Sequence, residues 1–437
     1  AAVRAADPAA SRLLDQLVIA PRAHSAIRLS IDPPATMRAL VELAGAVLLF
    51  WTCRQIFERG GAWLMARAIT MLGLVVCAIA LVQRVTNHHR IYGIFEPHQA
   101  GAEPFGPFVN PDHFATWIVM AIPLVAGYGL AHRYARTAGV HRTHLAWTAR
   151  VSRALADAQR VWIVSAVGVM AVALVATRSR SGLAGLAAAA LAGIWISRRR
   201  LTSADRWWLL LAAAAVSLFV LSYADVGRLA THVGLALSDS SEHRLDIWHD
   251  TVRIARDFWL TGAGAGSFGR AMLVYQSADR DVFFNQAHNQ YLQLLAEGGL
   301  LLAVPALLAA LALGRAVRRA LAEDRTPGYW IRAGAAAGLC GVAVQSLWET
   351  GLRLPANAVL FAVLAAAATA TRRGVPEPSA RAVRPNPAWQ PGNHSVQVAR
   401  GEPGRSRHAE LAADVVRRWK QVVAQPAPPR PPIRQRP

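Results

Sequence analysis

The chain has 437 residues, of which 54% are hydrophobic and 17% charged, with a formal net charge of +21. Apolar stretches of membrane-spanning length recur along it, which excludes an ordinary soluble domain. The positive charge is not laid out as a basic groove with interleaved aromatics, so nucleic acid is excluded as a partner.

In chain order, residues 1–37 are read as an extracytoplasmic N-terminal segment, with Arg4, Arg12, Arg22 and Arg28 partly offset by Asp7, Asp15 and Asp32. About nine spans follow, near 38–56, 62–83, 114–131, 161–177, 181–197, 207–223, 289–313, 329–348 and 354–371. The expected fold is an all-α integral membrane protein. Helices 1–6 fill residues 38–223, a long and partly helical extracytoplasmic loop fills 224–288, and helices 7–9 fill 289–371. Residues 372–437, rich in Pro and Arg, read as a disordered cytoplasmic tail.

Arginines set the orientation. They crowd the loops from Arg133 to Arg160, Arg198 to Arg206 and Arg315 to Arg325, and the tail from Arg372. Under the positive-inside rule these face the cytoplasm, so residues 84–113, 177–181, 224–288 and 349–353 face outward. His88, His89, His98 and His113 share the first outward loop, without the spaced acidic or cysteine partners of a metal site. Cys53, Cys77 and Cys340 fall in predicted spans without paired spacing and read as packing residues.

Thr177-Arg-Ser-Arg-Ser181 joins two apolar stretches so tightly that Arg178 and Arg180 lie at the outer membrane boundary, against the positive-inside trend. Snorkelling is one explanation. The other is bidentate binding of phosphate oxygens. The loop from Tyr223 to Ala287 is far longer than a connector needs. Within it, Ser241 to Trp248 runs on to Ile254 and Trp259 with helical spacing, as an amphipathic helix on the membrane surface with both tryptophans suited to the interface. Arg244, near its start, is either a solvated helix-end charge or a phosphate contact. Gly262-Ala-Gly-Ala-Gly-Ser-Phe-Gly269 has no preceding strand, which argues against a dinucleotide loop and for a sharp turn with close backbone approach.

Phe284 to Gly299 places His288 and a polar stripe where the long loop re-enters an apolar helix. If the segment is helical from about His288, Asn289, Gln293 and Glu297 share one face. Polar groups at the edge of hydrocarbon are costly and turn toward a wet cavity or toward other helices, so a functional site and interface glue are the two readings.

Four of these segments, taken together and in order, resemble the O-antigen ligase and polymerase superfamily. They are Phe108-Val-Asn-Pro-Asp-His-Phe-Ala115, the hairpin at 177–182, the Arg244 to Trp248 helix with the Gly-rich turn, and Ala287-His-Asn-Gln-Tyr-Leu292 leading to Glu297. Asp112 stands where the family commonly has Asn. The family generally has more than nine spans, and Leu29-Ser-Ile-Asp-Pro-Pro-Ala-Thr36 is similar to one of its outward loops, so further helices are expected upstream of residue 1.

The resemblance implies metal-independent, cofactor-free glycosyl transfer on the outer face of the cytoplasmic membrane. The donor it implies is an undecaprenyl-diphosphate-linked glycan, and the acceptor a glycan, lipid or protein. It implies His288 as general base, Arg178, Arg180 and Arg244 on the pyrophosphate, and Asn289, Glu297, Asn110 and His113 in support. Polymerase and ligase remain open. A membrane carrier for a lipid-linked or anionic solute is the alternative, since polar groups around a cavity describe transporters too.

Overall fold

A computed structural model of the chain describes residues 29–86, 89–97, 102–139, 146–202, 244–277 and 283–371. The predicted span at 207–223, the tail at 372–437, residues 1–28, and His88 and His98 lie outside the described residues. The other eight predicted spans all fall on helices. These are α1 (Pro33–Glu58), α2 (Ala62–Thr86), α3 (Pro111–Gly139), α4 (Ala146–Ala176), α5 (Arg180–Ser197), α8 (Gln290–Glu323), α9 (Gly328–Gln345) and α10 (Pro355–Thr369). Between α5 and α8 come α6, helical over residues 244–257, and the short α7 (Phe268–Tyr275). A 3-10 turn, Gly351–Arg353, precedes α10.

Six of these helices are long and apolar enough to cross a membrane, namely α1 to α5 and α8. The protein is a multi-pass, all-α membrane protein. α9, with 18 residues, is as long as α5 but owes its place to packing: nearly its whole circumference is buried. Its glycines make this possible. A Cβ on Gly334 would overlap the Pro123 carbonyl, and one on Gly338 would lie 2.8 Å from the Met120 carbonyl oxygen. On another face, Gly341 would place its Cβ 2.7 Å from the Gly185 carbonyl oxygen. Backbones that approach this closely are how helices bind one another where lipid removes the hydrophobic drive. α9 is thus wedged between α3 and α5, while the apolar faces of α1 and α8 stay uncovered, as lipid-facing surfaces do.

Polar side chains start several of the helices. Asp32 Oδ1 accepts from Ala35 N–H at 3.2 Å ahead of Pro33 and Pro34, which starts α1 upstream of the expected residue 38. Asn110 Oδ1 accepts from Asp112 N–H at 2.8 Å before α3, and Ser179 Oγ from Gly182 N–H at 3.1 Å before α5. Asn289 Oδ1 accepts from Tyr291 and Leu292 N–H at 3.1 and 3.0 Å, so α8 begins one residue later than a helix from Asn289 would, with His288 outside it.

A second apolar cluster lies under the loop that precedes α8. Ile247, Ile254 and Phe258 share one face of α6 and its end, and pack with Phe268, Met272, Ala287 and Ala296. The apolar face of α6 is therefore covered by protein rather than laid on a membrane surface. Trp248 turns inward, its indole N–H donating to the Ala287 carbonyl at 3.0 Å, whereas Trp259 stays exposed.

Candidate functional site

His288 has φ +48°, in the left-handed region that non-glycine residues rarely occupy. Its neighbours hold it there. Ala287 N–H donates to Gln293 Oε1 at 2.9 Å and the Ala287 carbonyl accepts from Trp248. Gln290 N–H donates to the Ser346 carbonyl at 2.9 Å, and Tyr291 Oη to that of Ala343 at 2.7 Å. Thr350 Oγ1 and Gln286 Oε1, 2.6 Å apart, join the loop before α8 to the loop after α9. A strained backbone persists only where its surroundings over-determine it, and such places concentrate at functional sites.

Those tethers bring His288 to Glu349, a residue the sequence left inside a short outward loop without a role. Glu349 is 1% exposed; its Oε1 lies 3.6 Å from His288 Nδ1 and 3.5 Å from His113 Nε2. Both are ion-pair distances, longer than a formed hydrogen bond. The same oxygen accepts from Thr350 N–H at 2.9 Å. Burial pushes the carboxyl upward, but His113, His288 and the Thr350 amide outweigh burial and hold it below the usual carboxylate range. The His288 side chain keeps 30% exposure while that of His113 keeps 10%. His288 alone of the two therefore presents an open ring edge.

α3 and α5 meet here. A Cβ on Gly182 would lie 2.7 Å from that of Ala115, and one on Gly351 would overlap Thr116 Oγ1. Asn357 Nδ2 donates to the carbonyls of His113 and Gly351 at 3.0 and 2.8 Å, locking α10 to both. Asp112 interacts with Ser179, Glu349, Arg244 and His113. The first, second and fourth family-like segments and the Arg244 helix thus converge at one end of the bundle.

Arg178 and Arg180 flank the buried Ser179 and are exposed. Neither makes a side-chain hydrogen bond or ion pair among the described residues. Arg178 has φ +58°, in a turn fixed by Thr177 Oγ1 to the Leu174 carbonyl at 2.6 Å and by the Ser179 cap. Two exposed cations without partners among the described residues, at the end of the bundle where His288 keeps part of its ring open, form a surface suited to an anion.

The hydrogen bonds of Glu297 go to groups other than His288. Its Oε2 accepts from Gly266 N–H at 2.9 Å and its Oε1 from Phe268 N–H at 3.2 Å, Gln293 Nε2 at 3.2 Å and Arg353 Nη1 at 2.9 Å. The polar stripe Asn289, Gln293 and Glu297 does share one face, all of it buried. At Glu297 that face meets the Gly-rich loop. The loop is the sharp turn its glycines announced: Gly262, Gly264 and Gly266 have φ of +68°, +112° and +77°, and a Cβ on Gly262 would overlap the Glu297 carbonyl. Asn110 likewise acts as the α3 cap. A cavity of about 220 Å³ lies at the opposite end of α9, lined by Trp63, Asp324 and Arg332 among others. Its ion pair, at 3.2 Å, is internally neutralised and far from His288.

Sequence reasoning missed Glu349. The available signal was an acidic residue between two apolar helices, expensive unless partnered.

Residues 165–307 match the family model described as O-antigen ligase. The matched segment contains Arg178, Arg180, Arg244 and His288; His113 and Glu349 lie outside it. No curated protein matches the chain.

Proposed function

The family match supports the O-antigen ligase/polymerase superfamily, and from that premise we propose that the chain transfers or polymerises an undecaprenyl-diphosphate-linked glycan at the outer face of the cytoplasmic membrane, without a metal ion. His288 is the general base. With Nδ1 turned to Glu349, its Nε2 is the nitrogen left to take the acceptor hydroxyl proton. The acceptor oxygen then bonds the anomeric carbon as the carbon–oxygen bond to the diphosphate breaks. Arg178, Arg180 and Arg244 meet the charge that builds on the departing pyrophosphate, since fixed cations act on developing charge without reorganising.

The observation that carries this reading is an arginine hairpin without partners among the described residues at the same end of the bundle as a strained, partly exposed histidine. The carrier alternative gains little from the break in α8 at Gly299, φ +53°. The amides freed there are already taken: Leu300 and Leu301 N–H donate to the Trp259 and Leu260 carbonyls at 2.9 and 3.0 Å.

The test is product analysis. The full chain in lipid is given a polyprenyl-diphosphate oligosaccharide, wild type beside His288→Ala, with products resolved by gel and mass spectrometry. His288→Ala is expected to cut transfer by about two to four powers of ten with protein level unchanged. A histidine-dependent ladder of repeats means polymerase, and a single transfer to an added acceptor means ligase. Wild-type turnover by His288→Ala removes the histidine from the mechanism; solute accumulation without a new glycosidic bond means carrier.

A further inference from the structure

We infer that Glu349 is the positioning residue for His288 and that His113 holds Glu349 in place, so that one buried carboxylate serves two histidines. This rests on the reading of His288 as general base.

A carboxylate at 1% exposure needs compensation from every side. Glu349 has the Thr350 amide and two imidazoles on Oε1, while Oε2 has no hydrogen-bond partner among the described residues. Both histidines stand at 3.5–3.6 Å from that first oxygen. Distances of this kind tighten in a substrate complex. The two imidazoles differ in duty. His113 is in the first turn of α3, almost enclosed, with its backbone carbonyl fixed by Asn357. His288 is half open and sits on a strained loop.

The consequence is tautomer control. An acceptor at Nδ1 keeps the proton on that nitrogen and leaves the Nε2 lone pair for the incoming hydroxyl. When Nε2 takes the proton, the imidazolium faces a carboxylate that is already ionised, and that proton later passes to solvent or to the released diphosphate. His113 remains on Oε1 throughout, so the carboxylate does not swing as His288 changes charge. The other charged groups in reach are Asp112, which opposes Glu349, and Arg244, which offsets Asp112.

The experiment compares wild type, Glu349→Gln, His113→Gln and His288→Ala, as full chains in lipid, by transfer kinetics and by 15N NMR of histidine-labelled protein. His288→Ala assigns the resonance. The expected wild-type signal is an Nδ1-protonated His288. Glu349→Gln is expected to lower kcat by about two to four powers of ten with KM for the donor unchanged. His113→Gln is expected to lower kcat by less. An Nε2-protonated His288 in the wild type overturns the inference, and so does a Glu349→Gln enzyme with unchanged kcat. The NMR arm decides even if Glu349→Gln fails to fold. Normal turnover by His288→Ala would instead remove the base reading, and the tautomer would still report on Glu349.

Discussion

Arg353 Nη1 donates to Glu297 Oε1 at 2.9 Å, tying the 3-10 turn beyond α9 to the carboxylate that the Gly-rich loop wraps. Glu297 is 6% exposed, and among the described residues it is the acceptor for the Gly266 and Phe268 amides. Truncation leaves those donors and the Arg353 charge without it. Glu297→Ala is expected to destabilise the protein by about 3–5 kcal/mol, read as a lower thermal midpoint in lipid or detergent, while transfer per folded molecule stays close to wild type. Normal stability with lost transfer would place Glu297 in the chemistry instead.

The close approach of Gly262 to the Glu297–Gly298 backbone makes a second prediction. Gly262 has φ +68° and no room for a Cβ, so Gly262→Ala combines strain with overlap. We expect the largest loss of folded protein among single glycine-to-alanine changes in the loop. Gly93→Ala, with φ +73° but nothing within 4 Å of its Cβ, is the control that isolates the backbone strain. Equal yields of the two variants would contradict the packing account.

The arginines respond to geometry as well as charge. Arg244→Lys keeps the charge that balances Asp112 but loses the planar fork that grips a phosphate through two bonds. A rise in donor KM on the order of tenfold, about 1.4 kcal/mol, is expected, with the thermal midpoint unchanged. Donor titration checks it, and an unaltered KM would leave Arg244 as a helix-end charge balanced against Asp112.

Much of this was legible from sequence. The apolar runs located eight described helices, and the glycines at 262–266 announced a turn with close backbone contact. His288, Arg178 and Arg180 stood out because charge at a membrane boundary is costly. What stayed hidden depends on long-range folding. Glu349 lies sixty-odd residues beyond His288 in a segment without periodicity, and long-range contacts such as Gln290 on Ser346 and Gly351 on Thr116 bring it to both histidines. Glu297 misled for the opposite reason: its helical register beside Asn289 was right, but the break at Gly299 and the loop folded over it took up the carboxylate. Asn110, Ser179 and Asn289 read as parts of a chemical motif and prove to be helix caps, so part of that motif is local folding instruction.

Glu349 also makes stability depend on pH. Its folded-state value lies below the ordinary carboxylate value, so its ionised form stabilises the fold. That contribution is fully present above the unfolded value, about 4.3, and is lost as pH falls through the carboxylate range toward the folded value. Glu349→Gln has no such proton to take up. The difference in thermal midpoint between wild type and Glu349→Gln is therefore expected to shrink as pH falls from about 5 to about 3. Scanning both proteins in the same lipid across that range is the check. A difference that stays constant to pH 3 would mean that the histidines do not favour the ionised carboxylate, and the shared-carboxylate account of His288 would lose its electrostatic basis.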